Sequence, residues 1–467
     1  MSDYSLLING KLISDRQLGS VINPATEVAF ARVPLATTDD LEEAVSSAKE
    51  AFVAWSPQER WHDRQTSLSA LADRMEEELD HFTHLLTCEQ GKPLDQAKFE
   101  IQATITMFRY TAEQELAVET RTHMGGGEYT FIRKPLGVAA CITPWNFPVL
   151  LAANKIAPAL LTGNTVILKP APSTPLTSLE IGRLCVDIFP PGVINVLADS
   201  NDLGGLLTKH PDIAKVSFTG STVTGKKVMQ SAAESVKRVT LELGGNDAAI
   251  VLDDVDIDTT VSNLVTPAFL NAGQVCVTPK RILVSEKIFE EFSEQFVAAV
   301  NTMKVGPGDG DGVNMGPMQN RVQYEKVLEI IAEAKQVGTL LCGGGAADRV
   351  GYFIEPTVFS DLPQGSRLVD EEQFGPVVPL IRFSGDDEAV TKANNSVYGL
   401  GGSVWSGDVD RACRVALRLE CGNVWVNQHM AMGADIPFAG TKQSGIGVES
   451  GIEGIHEFTQ VQVLNVA

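Results

Sequence analysis

The sequence lacks the marks of a disulfide-stapled or zinc-binding protein. Its seven cysteines (Cys88, Cys141, Cys185, Cys276, Cys342, Cys413 and Cys421) are odd in number and scattered, with no CxxC pair and no histidine at finger spacing. A disulfide framework is excluded and no metal site is expected. Positive charge is also scarce: 37 Lys and Arg stand against 59 Asp and Glu, a net charge of −22, with no local basic stripe. Such a chain repels phosphate backbones and anionic lipid, so neither nucleic acid nor a membrane surface is a partner. No apolar run is long enough to span a bilayer, because Phe147 to Leu168 is broken by Asn154, Lys155, Thr162, Gly163, Asn164 and Thr165. The opening MSDYSLLINGKLIS has no basic region, apolar stretch or cleavage site of a secretory signal, which predicts a chain beginning near Met1 and a cytoplasmic location.

What is present is 467 residues, 44% of them apolar, enough for roughly two to four domains with substantial cores. The first third is helical in pattern. Asp39 and Asp40 can cap a helix whose apolar positions Leu41, Ala44, Val45, Ala48, Ala51 and Phe52 recur at three- and four-residue spacing. Further amphipathic windows run from Gln65 to Glu89, closed by Gly91 and Pro93, and from Leu94 to Ala117. Beyond Gly125 the texture changes to strand-like runs, 129–133, 137–142, 165–168, 193–197, 215–218 and 238–242, alternating with helical windows at 176–189 and 225–235. The alternation resumes past Gly245 with runs at 248–252, 281–284, 377–383 and 422–426 and a helical window at 324–337. Strands alternating with helices predict an α/β protein built on parallel sheets, divided near Gly244-Gly245.

Several residues could carry chemistry. Cys276, in NAGQVCVTP, follows a helical window at 258–271 and sits at a turn, where a thiol can face a cleft. A lone cysteine is more often a small buried hydrophobe. Glu242 ends RVTLE ahead of two glycines, so its carboxylate can emerge at a strand's C-terminal edge, where α/β proteins place ligands; the plain alternative is a solvated loop acid. Asn146 in TPWNFP is an amide fixed between prolines in an apolar setting, as an oxyanion donor must be, or else a turn residue. FTGSTVTGK is not GxGxxG, yet it places Gly220, Ser221 and Gly225 at a strand-to-helix turn suited to a pyrophosphate. Lys169 closes another strand ahead of Pro170, as a ribose or phosphate contact or a solvated lysine.

Read in order, PWNFP, ILKPA, FTGST, LELGGN, GQVC, EEQFGPV and PFAGTKQSG resemble the NAD(P)-dependent aldehyde dehydrogenases over about Ile8 to Leu464. The thirty-four residues from Glu242 to Cys276 match that family's spacing. The resemblance implies a Rossmann-type cofactor domain (1–120 and 139–243), an α/β catalytic domain (244–440) and a small oligomerisation element (121–138 and 441–467). It implies Cys276 as nucleophile, Glu242 as general base, and Asn146 with the Cys276 N–H as oxyanion hole. NAD or NADP would meet Ile142, Thr143, Trp145, Lys169, Ser173, Gly220, Ser221, Leu243, Gly244, Glu372 and Phe374, and the aldehyde would pass Phe147, Leu151, Asn154, Val275, Met430, Met432 and Phe438. No Arg or Lys falls in that second set, so no clamp for a substrate carboxylate is expected, and a medium-sized aliphatic or aromatic aldehyde fits. By the same resemblance the segments 122–133 and 460–466 join subunits in a homodimer or homotetramer.

One departure bears on the cofactor. Three residues after Lys169, where many NAD-preferring relatives carry a glutamate that bonds the adenosine ribose, this chain has Pro172, which predicts tolerance of NADP. The glycines usual in the next phosphate-side loop are absent from ADSND, residues 198–202. Two rival readings are an acylating relative that passes the thioester to coenzyme A, against which Glu242 argues, and a catalytically silent protein on the same fold, against which Cys276, Glu242 and Asn146 together argue.

Overall fold

The computed structural model describes residues 4–466, so the expected start at Met1 lies outside the described residues. Four parallel crossovers dominate the first half of the fold. Val138–Ile142, Thr165–Lys169 and Ile194–Val196 are laid side by side in chain order. The chain then returns across the sheet, placing Ile213–Thr219 on the other side of Val138–Ile142 and Arg238–Glu242 beyond it. All five strands are parallel and almost wholly buried, which is why they read as short apolar runs. Antiparallel strands finish the eight-stranded sheet, Leu6–Ile8 and Lys11–Ile13 at one edge and Gly445–Ile446 at the other.

The reversal of strand order between Val138–Ile142 and Ile213–Thr219 creates a switch point, and α/β sheets bind ligands in the crevice beyond the carboxyl ends of such strands. Ile142 is in register with both Phe218 and Lys169, and Thr219 with Glu242. The sequence therefore delivers Ile142, Lys169, Gly220 and Glu242 to one edge.

A second, seven-stranded sheet runs in the order Thr339–Cys342, Thr357–Ser360, Val377–Phe383, Pro279–Ser285, Asp247–Val251, Gly401–Trp405, Asn423–Val426, all parallel except the first. It begins four residues after the first sheet's Arg238–Glu242, with Leu243, Gly244, Gly245 and Asn246 between them. A separate three-stranded sheet joins Glu119–Thr122, Glu128–Pro135 and Thr459–Asn465.

Local chemistry explains where the helices start and stop. Thr37, rather than Asp39 or Asp40, caps helix Thr38–Trp55: its hydroxyl accepts the Asp40 N–H, and Asp40 reaches back to the Thr37 N–H at 2.8 Å. The window read as one helix from Gln65 to Glu89 is two, Trp61–Glu77 and Leu79–Gln90, meeting at Glu78 without a glycine or proline to announce the break. Helix Leu79–Gln90 ends on Gly91 at φ +97°, a left-handed cap. Residues 445–446, within the segment expected to belong to the oligomerisation element, pair with Glu242's strand in the first sheet. Among the described residues no helix is long and apolar enough to cross a membrane.

Candidate active site and cofactor crevice

The turn that carries Cys276 is held in an unusual shape. After helix Ile257–Phe269, Asn271 and Ala272 both take left-handed angles, φ +50° and +56°, which residues with a β-carbon adopt only under constraint. Here the constraint is a set of buried amides. Asn271 Nδ2 donates to the Asn146 carbonyl at 3.0 Å, and Gln274 Nε2 donates to the Asn271 carbonyl at 2.8 Å.

Asn146 meets this turn directly. Its side-chain Nδ2 donates to the Gln274 carbonyl at 2.9 Å, two residues before Cys276, and this leaves its second amide hydrogen free for another acceptor. The Asn146 carbonyl is fixed from below by buried Lys92, whose Nζ donates to it at 2.9 Å. Lys92 in turn pairs with Glu100, which also accepts the Val149 and Leu150 N–H groups at 3.0 and 3.3 Å. The lysine stands 3.7 Å from the centroid of the Phe147 ring. A buried ion pair thus fixes the backbone on both sides of Phe147.

The thiol sits among charges. Burial pushes Cys276 up to about 12; Lys280 pulls it down, and the carboxyls of Glu372, Glu242 and Asp247 push it further up. Lys280, itself buried, donates to the carbonyls of Val275 and Cys276, the latter at 2.9 Å. At the end of strand Arg238–Glu242, Glu242 is buried with neither carboxylate oxygen partnered. Its desolvation, aided by Glu449 and opposed by Lys155, holds it well above the usual carboxylate range. Lys155 donates to Thr219 Oγ1 at 2.7 Å and pairs with Glu449.

Two glycines make the approach of these segments possible. A β-carbon on Gly244 would stand 2.3 Å from a Glu372 carboxylate oxygen, and one on Gly245 would stand 2.4 Å from the Cys276 carbonyl. The Gly245 N–H donates to Glu372 Oε1 at 3.0 Å. Glu372, expected near a nicotinamide ribose, therefore lies against Gly244 and beside the cysteine turn. Phe374, at φ +52°, packs edge-on against Trp145 with centroids 5.4 Å apart.

The other expected cofactor residues gather at the carboxyl edge of the first sheet. The Thr143 N–H donates to the Lys169 carbonyl at 3.1 Å, and its buried hydroxyl has no partner. Ser221 caps the twelve-residue helix Thr222–Ala233, accepting the Thr224 N–H, with Gly220 just before it. Leu243 packs so closely on Gly225 that a β-carbon there would come within 2.4 Å. An orphaned hydroxyl, a strand-end ammonium and the start of a full-length helix suit a dinucleotide. Ser173 is the exception, since its hydroxyl is committed to Gln319 Oε1 at 2.9 Å.

Of the tunnel residues, Phe147, Val275, Met430 and Phe438 form one apolar cluster with Cys276, joined by Trp425, Leu270, Leu400 and Ala431. Leu151 and Asn154 lie apart from it along helix Leu150–Leu161, and Asn154 lines a separate recess of about 200 Å³ with Tyr110 and Ser450. Met432 is 47% exposed and outside the cluster, because it sits on a loop whose neighbour Met430 turns inward at φ +64°.

The sequence profile of the Aldehyde dehydrogenase family matches residues 13–464. The chain belongs to that family. As a member it is an NAD(P)-dependent oxidoreductase acting on aldehydes. It is 40% identical over 458 residues to the chloroplastic betaine aldehyde dehydrogenase of Beta vulgaris, covering 95% of this chain and 91% of that one. It is similar to a crystal structure of Staphylococcus aureus betaine aldehyde dehydrogenase with NAD+, at TM-score 0.96 and 34% identity over 99% of this chain and 94% of that one. An NADP-dependent enzyme of E. coli matches at TM-score 0.97 and 35% identity, covering 100% and 98%. One of these similar structures is thus described with NAD+ and the other as NADP dependent.

Sequence reading missed the buried charges that brace this site: Lys92, Glu100, Lys155, Lys280 and Glu449. One signal was available, for Lys155 is the single charged residue in the otherwise mostly apolar ANKIAPALL, where a solvated lysine has no place.

Proposed function

We propose that this aldehyde dehydrogenase oxidises a medium-sized aliphatic or aromatic aldehyde to the carboxylic acid, with Cys276 as nucleophile, Glu242 as base and Asn146 as oxyanion donor. The observation that carries the reading is the turn at Cys276, bonded to the Asn146 amide, with the charge of a buried, unpartnered Glu242 carboxylate felt at the thiol. Glu242 takes the Cys276 thiol proton and passes it on to solvent as Sγ attacks the carbonyl carbon, and the free Asn146 amide hydrogen stabilises the oxyanion that forms. When bound, NAD(P)+ would supply the hydride acceptor for the aldehyde carbon held on Cys276. Lys169, Thr143, Ser221 and the start of helix Thr222–Ala233 would hold its outer part, with Trp145, Leu243, Gly244, Glu372 and Phe374 at the nicotinamide end. Glu242 then takes a proton from the hydrolytic water, and burial makes it a stronger base by raising its proton affinity.

The apolar cluster at Cys276 supports an uncharged aldehyde side chain, since its members carry no charge. Exposed Val461, Val463 and Leu464 on strand Thr459–Asn465 support a homodimer or homotetramer joined through the three-stranded sheet. Seven free cysteines support a reducing, cytoplasmic setting. The test is formation of reduced cofactor over a panel of aldehydes with NAD+ and NADP+, with Cys276→Ala as control. Cys276→Ala is expected to lose activity by a factor on the order of 10⁴; retention of the rate would refute the mechanism.

A further inference from the structure

The carboxylate that the sequence lacks beside Lys169 is supplied from the next strand. Lys169 Nζ lies 2.7 Å from Asp199 Oδ1, and the two side chains are 5% and 0% exposed. Asp199 sits in the loop after strand Ile194–Val196, the neighbour of Thr165–Lys169 in the sheet. Its Oδ2 accepts the Leu203 N–H at 2.9 Å, and Oδ1 has no partner but the ammonium. The carboxylate is therefore fixed in direction as well as buried. The methylenes of Lys169 rest 3.6 Å from where a Gly204 β-carbon would be, while nothing lies within 4 Å of the same point on Gly205.

We propose that Asp199 is a positioning residue that makes this enzyme select NAD over NADP, acting through Lys169. This rests on the reading of Lys169 as the contact to the adenosine ribose. An ammonium has three donors. The ion pair with Asp199 leaves donors for the neutral hydroxyls of a ribose and cancels most of the charge that would draw a 2′-phosphate. A phosphate seated on Lys169 would carry a charge of about −1.5 to −2 and share one ammonium with a buried, immobile carboxylate, where repulsion is weakly screened. Under this proposal the expectation of NADP tolerance drawn from Pro172 would not hold: position 172 holds no acid, yet an acid reaches the same lysine from thirty residues further along.

The test is equilibrium binding of NAD+ and NADP+ to the full-length enzyme without aldehyde, followed by tryptophan fluorescence, with ADP and adenosine 2′,5′-bisphosphate as fragment probes. Wild type should bind NAD+ at least about tenfold more tightly than NADP+, and Asp199→Asn should narrow that ratio by about tenfold, chiefly by tightening NADP+. Binding of NADP+ to the variant should also become more sensitive to salt. Asp199→Ser, whose hydroxyl can still accept the Leu203 N–H, serves if Asp199→Asn does not fold, and the wild-type ratio is decisive by itself. Equal affinities in wild type, or a variant that weakens both cofactors alike, would overturn the proposal and leave Asp199 a cap. Lys169→Met separates the underlying reading. If it weakens cofactor binding, Lys169 is a contact and the ratio judges Asp199; if it leaves both affinities unchanged, both claims fall.

Discussion

The cofactor side of the crevice and the carboxylate that serves Cys276 differ in how far their polar groups are answered, Thr143 on the cofactor side being an exception with an unpartnered hydroxyl. At the sheet edge, Lys169 is answered by Asp199, Ser221 by the Thr224 N–H, and Ser173 by Gln319. By contrast Glu242, at the end of strand Arg238–Glu242, keeps two oxygens without partners. Buried polar groups without partners cost stability, so the unpartnered Glu242 marks where the fold holds a group ready for protons. The binding side is built to be rigid and the chemical side to be reactive.

The sharpest way to break this comparison is Glu242→Gln, which keeps the shape and removes the base. Turnover should fall by roughly 10²–10⁴-fold, while a single turnover of reduced cofactor survives and acyl-enzyme builds up on Cys276. Rapid-mixing absorbance and intact-protein mass measurement would show both. An undiminished steady-state rate would mean that the orphaned carboxylate is not the base.

Lys92→Met probes the braces beneath. Glu100 would be left buried without its cation, which costs about 3–5 kcal/mol when one partner of a buried pair is removed. Chemical denaturation should show the loss, and kcat should fall as the Asn146 carbonyl loses its anchor. A double change, Lys92→Met with Glu100→Leu, should recover part of the stability and little of the rate. Recovery of both would reduce the pair to packing.

A last prediction concerns pH. Burial raises Asp247 to about 7, with Lys280 opposing it, whereas an unfolded aspartate titrates near 3.9. Between those values the folded chain binds the proton more tightly, so this group's contribution is fully present below about pH 4 and is lost as pH rises through about 7. Asp247→Asn should remove that part of the slope in denaturation midpoints taken across this range. An unchanged slope would show that Asp247 stays ionised.

How much was legible follows from the same physics. Arg238–Glu242 and Val377–Phe383 coincide with the runs read from sequence, because parallel strands buried on both faces leave uninterrupted apolar words. Cys276, Glu242 and Asn146 stood out because turns and prolines set them off from those runs. Lys92, Lys280 and Glu449 did not, since a lysine or glutamate is by default a surface residue and its partner lies elsewhere in the chain. The pairing of Lys169 with Asp199 escaped for that reason, and the break at Glu78 because the two helices meet without a local stop signal.

The three-stranded sheet carries a consequence for how the protein is made. Glu128–Pro135 takes its central place only when Thr459–Asn465 arrives, Thr459 opposite Pro135, over three hundred residues later. Glu242's strand likewise waits for Gly445–Ile446 at its outer edge. At ribosomal rates of about 5–20 residues per second, the early strand spends roughly 15–65 seconds with one side unpaired, an interval in which a chaperone, or a sister chain on the same message, has the first opportunity to cover it.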